Sequence, residues 1–222
     1  MNKLVPLALL TLFSVVFVNA AAAPKKIGIL VFDGVLTSDV TAPIEVFGAA
    51  AKRPWFSAYQ VVVISATRAK EIRSEEGLRM VADQTIYDPV ELDVLLVPSA
   101  YKMDPLLENK ELIQFIARQN RSASWMASNC SGAFLLGEAG VLDGKNATTW
   151  AGGEKGLAAA YPKVKVQSDR NVVVDDRVIT SNGGPVSYQA AFALLARLSS
   201  EAHAKEIATN IQFSRLASAF EH

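Results

Sequence analysis

A succession of short, unbroken apolar runs, each closed by a turn signal and followed by a helical pattern, most constrains how this chain can fold. "KKIGILVFDG" (25–34), "AYQVVVISAT" (58–67), "LDVLLVPSA" (92–100) and "SASWMASN" (122–129) are apolar without alternation, which is the pattern of strands buried on both faces. Between them, "SDVTAPIEVFGAAAK" (38–52) and "NKELIQFIARQN" (109–120) carry helical spacing. Pro43 in the first of these is tolerable only near the opening turn of its helix. Strands alternating with helices predict an α/β sandwich, a largely parallel sheet with helices on both faces. The stretch 68–87 reads as a small hairpin, and a helix is expected over 131–142. Further on come a short strand at "NATTW" (146–150), a helix at "EKGLAAAY" (154–161) and the strand "VKVQ" (164–167). Two β runs then flank an Asp-Asp turn in "NVVVDDRVITSNGG" (171–184), before one last helix, "PVSYQAAFALLARLSSEAHAKEIA" (185–208).

The first residues follow a different logic. Met1-Asn2-Lys3, an apolar run from Leu4 to Val18 and then Asn19 with four alanines give the order of a secretory signal peptide, with cleavage expected after Ala20 or Ala22. An uncleaved anchor is the alternative, since the run approaches the ~20 residues that span a bilayer. The expected organisation is a signal peptide over 1–22 and one domain over 24–222, in the periplasm or outside the cell. The whole chain holds 22 basic and 22 acidic residues. Near-neutrality gives no reason to expect nucleic acid or, after cleavage, a membrane surface as partner.

In an oxidising compartment cysteines pair, yet Cys130 is the chain's one cysteine. It is therefore inert and buried, cross-linked to another chain, or chemically used. It stands where a strand gives way to a helix, and in parallel sheets ligand sites lie at such carboxyl-end turns. A tight turn there lifts the side chain out of the sheet, and the amides of the new helix favour a thiolate. Ser131 and Gly132 keep the turn small. Only His203 and His222 are available as imidazole bases, the first in a late helix and the second at the terminus, so no local Cys–His dyad exists. A carboxylate is the remaining base, and Asp39, just past the first strand, lies at the same edge of the sheet, where it could reach the thiol; spacing alone favours a plain cap or first-turn acid. Gly183-Gly184 with Ser187 reads as an anion-binding helix start or simply as a turn. No cofactor or metal is expected.

"KIGILVFDGVLTSDVTAPIEVFG" (26–48), "SNCSGAFLLGEAGVLDGKNATTW" (128–150) and "ITSNGGPVSYQAAFALLARL" (179–198) resemble the defining blocks of the ThiJ/PfpI superfamily, which shares a core with class I glutamine amidotransferases. That resemblance implies a flavodoxin-like three-layer sandwich, a homodimer, and Asp39 as the partner of Cys130. Aspartate at this position is the pattern of the isonitrile hydratase branch and of sensor domains fused to AraC-type regulators. Trp150 stands where many relatives carry histidine, which removes a protease-style base. Ser99-Ala100 replaces a Gly-Gly pair, so an amide at Ser99 or Ala100 would serve the oxyanion and a side chain would narrow the pocket. The implied chemistry is a cysteine-dependent hydratase or hydrolase acting on a small electrophile. The alternative is a non-catalytic ligand-binding or redox-sensing protein. Tyr101 and Trp150 are candidate pocket walls, or else core.

Overall fold

The computed structural model describes residues 23–220; the expected signal segment and its cleavage sites, and also His222, lie outside them. Strands β1 (Lys25–Val31), β2 (Tyr59–Ser65), β3 (Glu71–Arg73), β4 (Arg79–Val81), β5 (Gln84–Thr85), β6 (Val94–Val97) and β7 (Trp125–Asn129) occupy the first part of the chain. They are joined by helices α1 (Thr37–Ala51), α2 (Asp104–Leu107) and α3 (Lys110–Ser122). The second part runs α4 (Gly132–Glu138), β8 (Asn146–Ala147), α5 (Glu154–Ala160), β9 (Lys165–Val166), β10 (Val172–Asp175), β11 (Val178–Ser181), α6 (Val186–Leu198) and α7 (Glu201–Asn210).

Seven strands form the main sheet in the order β10-β11-β7-β6-β1-β2-β5, parallel except for the β10–β11 hairpin. Its centre, β2-β1-β6-β7-β11, has the flavodoxin-like order. Ile27, Ile29, Leu30, Val94, Leu95, Met126 and Ile179 are fully or almost fully buried, as their unbroken apolar runs require when both faces are covered. Helices α1, α6 and α7 cover one face, while α3 and α4 cover the other. The chain leaves β1 toward β2 on one side and β6 toward β7 and β11 on the other. That reversal between β1 and β6 opens a crevice beyond the carboxyl ends of the strands, where Asp39, Ser99 and Cys130 all lie.

Three expectations about elements are corrected. The last helix is two: Ser200 takes an extended conformation (φ −162°), and its hydroxyl accepts from His203 N–H at 3.1 Å, capping α7 separately. The helix after Cys130 ends at Glu138 rather than at residue 142, because Gly140 enters the left-handed region (φ 73°) that terminates helices. Pro43 is the seventh residue of α1, well past its first turn. A proline there cannot bond the carbonyl four residues back, that of Asp39. Asn129 does so instead, its Nδ2 donating to Asp39 O at 3.0 Å, so the break in the helix ladder ties α1 to the residue before Cys130.

Candidate active site

Cys130 is the first residue past β7 and has φ 51°, a left-handed conformation that a side-chain-bearing residue adopts only under constraint. The constraint is visible on every side. Cys130 N–H donates to Ser181 O at 2.8 Å, Thr149 Oγ1 donates to Cys130 O at 2.9 Å, and Ser181 Oγ donates to Asn129 Oδ1 at 2.7 Å. Gly132 is obligatory here: a Cβ at that position would stand 2.2 Å from Val97 O and 2.7 Å from Pro98 O. Gly183 (φ 79°) is equally crowded, its missing Cβ falling 2.3 Å from Cys130 Cβ and 3.0 Å from Asp39 Oδ1. The thiol and the carboxylate therefore press on the same small volume.

Asp39 is the third residue of α1 and is fully buried. It makes no cap. Its Oδ2 accepts from Ser99 N–H at 3.2 Å and from Ser99 Oγ at 2.5 Å, and its Oδ1 accepts from Gly184 N–H and Ser187 Oγ, both at 2.9 Å. Gly184 and Ser187 thus do bind an anion, and that anion is the protein's own carboxylate. This pairing across 145 and 148 residues of chain leaves no local sequence signal, since neither partner adjoins Asp39 in sequence.

Ser99 departs from the expected oxyanion role. It is fully buried, its N–H is spent on Asp39, and its carbonyl accepts from Leu36 N–H at 2.9 Å. Its hydroxyl is given to Asp39. The Ser131 hydroxyl donates to Ala100 O at 3.1 Å.

Electrostatics run against the helix-start expectation of a thiolate. Burial pushes the Cys130 thiol up; the Ser99 hydroxyl opposes this, the Asp39 charge adds to it, and the Ser131 donors oppose it. Asp39 is also raised, again by burial first, against the Ser99, Gly184 and Ser187 hydrogen bonds and the Ser99 amide. Four donors mark Asp39 as a site built for an anion, yet α4 is only seven residues long and brings no cation to the thiol. Neighbouring acids, one buried and one half-buried, titrate as a pair.

Above the sulfur lies a cavity of about 280 Å³ lined by Leu36, Ala100, Tyr101, Met103, Cys130, Ser131 and Trp150. Tyr101 is 75% exposed and Trp150 37%, so neither is packed in the core. Trp150 stacks on Phe134 (centroids 5.4 Å apart) and sits over Gly153, where any Cβ would collide with the indole. Leu36 and Met103 escaped sequence reading; both lie at the ends of loops leaving β1 and β6, where α/β ligand sites gather. His203 bonds Ser199 and stacks on Trp55, neither of them a residue of this site. Among the described residues no group of three or more His, Cys, Asp or Glu side chains could hold a metal ion.

Residues 25–197 match the DJ-1/PfpI family. An isonitrile hydratase from Pseudomonas putida is 33% identical over 127 residues, 57% of this chain, and the match spans 53% of that protein's length. Among solved structures, a ThiJ/PfpI family protein from Pseudomonas syringae superposes with a TM-score of 0.76 at 23% identity, covering 86% of this chain and 75% of that one. An AraC family transcriptional regulator from Pseudomonas putida gives 0.71 at 20% identity, covering 85% and 100%. At such identities these two structures bear on the fold alone. With sequence similarity running through β1, the Cys130 turn and α6, the chain belongs to the DJ-1/PfpI family.

Proposed function

We propose that this protein is a cysteine-dependent hydratase of small, largely apolar electrophiles, with an isonitrile as the type substrate. The observation that carries the reading is a constrained Cys130 at the floor of an apolar cavity with a buried, fully hydrogen-bonded carboxylate behind it. The similarity to an isonitrile hydratase supports the substrate class.

The terminal carbon of R–N≡C is electrophilic and needs no leaving group. The Cys130 sulfur adds to that carbon, and the proton released from the thiol is returned to it, giving a thioimidate, R–N=CH–S. Water adds to the C=N bond and protonates the nitrogen. Collapse passes the hydroxyl proton to the departing sulfur, restores the Cys130 thiol and releases R–NH–CHO, the N-substituted formamide. The Ser131 backbone amide, at the start of α4, stabilises the charge that develops beside the sulfur. Leu36, Met103 and Trp150 surround the R group. A neutral resting thiol suits this addition, because the sulfur and a proton are both delivered to one carbon.

The test is formation of N-substituted formamide from an alkyl isonitrile by the purified protein and its loss in Cys130→Ala. A ligand-binding reading, supported by similarity to an HTH-type transcriptional regulator from Pseudomonas aeruginosa, predicts saturable isonitrile binding without formamide. Sensing through Cys130 oxidation would require a stable sulfinate after mild peroxide; a raised thiol argues for slow formation. Export is proposed from the N-terminal sequence, and N-terminal sequencing that begins at Ala21 or Ala23 would support it. A homodimer is proposed from family membership, to be read by light scattering.

A further inference from the structure

We propose that Gly153 and Phe134, neither of them in the cavity wall, fix the Trp150 indole as a rigid template that selects planar, unsaturated substituents, so that aryl isonitriles are preferred to saturated alkyl ones. This deepens the hydratase reading by naming its substrate class, and rests on that reading for turnover but not for binding.

Trp150 lines the cavity above the sulfur and is held from its backbone and from its ring. Thr149 Oγ1 donates to Cys130 O at 2.9 Å, and Asn182 Nδ2 donates to Thr149 O at 2.5 Å. The residue before Trp150 is therefore tied to the nucleophile turn and to the residue that follows β11. The indole stacks on Phe134 with 29° between the planes, and Phe134 in turn meets Tyr161 edge-on with centroids 6.0 Å apart. Tyr161 is fixed as well, its hydroxyl donating to Glu138 Oε2 at 3.0 Å. A Cβ at Gly137 would stand 2.6 Å from the Tyr161 ring, so glycine there lets that ring close onto α4. Phe134, Gly137 and Glu138 all belong to α4, which begins two residues after Cys130. The row of rings is thus mounted on the helix that leaves the thiol's own turn.

Gly153 closes the remaining contact. Its missing Cβ falls 2.3 Å from Cε2, 2.5 Å from Cδ2 and 2.6 Å from Cζ2 of Trp150. Three consecutive ring atoms met together place residue 153 over the flat of the indole. Residue 153 cannot withdraw, because its N–H donates to Trp150 O at 2.9 Å and its carbonyl accepts from Leu157 N–H at 3.0 Å. Its φ of −93° is open to any residue, so the indole alone requires glycine here. Across the cavity, Tyr101 is largely exposed and Met103 is an unbranched thioether, which makes that side the adaptable one.

In R–N≡C the substituent continues straight from the reacting carbon, so R is driven against the cavity walls. A planar ring meets a fixed aromatic surface with the electrostatic preference of ring pairs added to its area of contact. A puckered ring of equal carbon number keeps only part of its atoms in contact, and dispersion fades within a fraction of an ångström. At about 280 Å³ the cavity is smaller than those of drug-sized ligands, which suits a single ring.

The experiment reads binding first and turnover second. Formanilide and N-cyclohexylformamide, the formamides of an aryl and a saturated isonitrile, differ in planarity at equal carbon number. Either one, when it fills the cavity, shields Cys130 from iodoacetamide. In the parent protein formanilide should protect at about 3–10-fold lower concentration, although the saturated ring is the more hydrophobic of the two. In Gly153→Ala the added methyl displaces the indole, and the two formamides should approach parity. Phe134→Leu removes the ring stacked on Trp150 and leaves position 153 untouched, so it should do the same and decides the matter if Gly153→Ala does not fold. With phenyl isonitrile as substrate, KM should rise in these variants by more than kcat falls, whereas damage to the nucleophile turn would show in kcat. Equal protection by the two formamides in the parent overturns the proposal, as does an unaltered formanilide preference in the folded variants. No formamide from either isonitrile, with the formanilide preference present in the parent and lost in the variants, overturns the hydratase reading and leaves the template standing.

Discussion

Asp39→Asn separates the two things the carboxylate does. It accepts four hydrogen bonds, two from hydroxyls that can rotate (Ser99, Ser187) and two from backbone amides that cannot (Ser99, Gly184). An amide side chain has one acceptor oxygen, so whichever way it sits, its NH₂ faces one of the fixed N–H groups. A buried donor left without an acceptor lowers stability by about 1–3 kcal/mol. Removing a buried charge offsets part of that. For a chain of this size each kcal/mol corresponds to about 2–4 °C in Tm, so a fall of about 2–6 °C is expected in a thermal melt. The chemistry should move the opposite way from the thiol's acidity. Loss of the negative charge that raises Cys130 shifts the midpoint of iodoacetamide labelling to lower pH, while turnover falls on the order of 10²-fold or more because the proton acceptor is gone. A faster-labelling, slower-turning variant is the signature. Unchanged melting together with an unchanged labelling profile would refute the reasoning, since it would mean that the carboxylate neither anchors the crevice nor reaches the thiol.

Gly183→Ala should damage stability and activity together. Its Cβ would sit 2.3 Å from Cys130 Cβ on a left-handed backbone, so overpacking and the conformational term sum to about 2–5 kcal/mol in denaturant unfolding. Pro43→Ala supplies an N–H that competes with Asn129 for Asp39 O; the helix should gain stability while labelling of Cys130 changes. Trp150→Ala should leave folding within about 2 °C of the parent and raise KM for bulky isonitriles more than for small ones, measured across an alkyl series. Both acids are raised in the fold, so the stability they contribute is full below their unfolded values and is lost as pH rises through the folded ones. Cys130→Ala should accordingly flatten the alkaline decline of stability measured by denaturant titration.

The sheet and the turn at Cys130 were legible because they depend on local pattern. Unbroken apolar runs mark doubly covered strands, and Cys130-Ser131-Gly132 is a turn whose glycine is forced by Val97 O and Pro98 O. What escaped was set by contacts between distant segments. A serine at 99 reads as a pocket substituent until the fold gives both its amide and its hydroxyl to Asp39. Gly184 and Ser187 read as an anion site, but nothing near them names Asp39 as the anion. Pro43 looks misplaced in mid-helix until Asn129 takes the carbonyl it frees. The thiol's acidity was read in the wrong direction because a helix start is local, whereas burial and the Asp39 charge come from across the fold. The single late helix failed at Ser199-Ser200, where a capping serine outweighs continuous helical spacing.

Intact-mass analysis of Cys130 during isonitrile turnover tests the addition mechanism most directly. A thioimidate adds the whole mass of the isonitrile to the protein, and with one cysteine in the chain the site is unambiguous. Rapid quenching should reveal that adduct on Cys130 and its decay as formamide appears, with neither in Cys130→Ser. Formamide released at the parent rate by Cys130→Ser, with no adduct at any quench time in the parent protein, would contradict nucleophilic catalysis by this thiol.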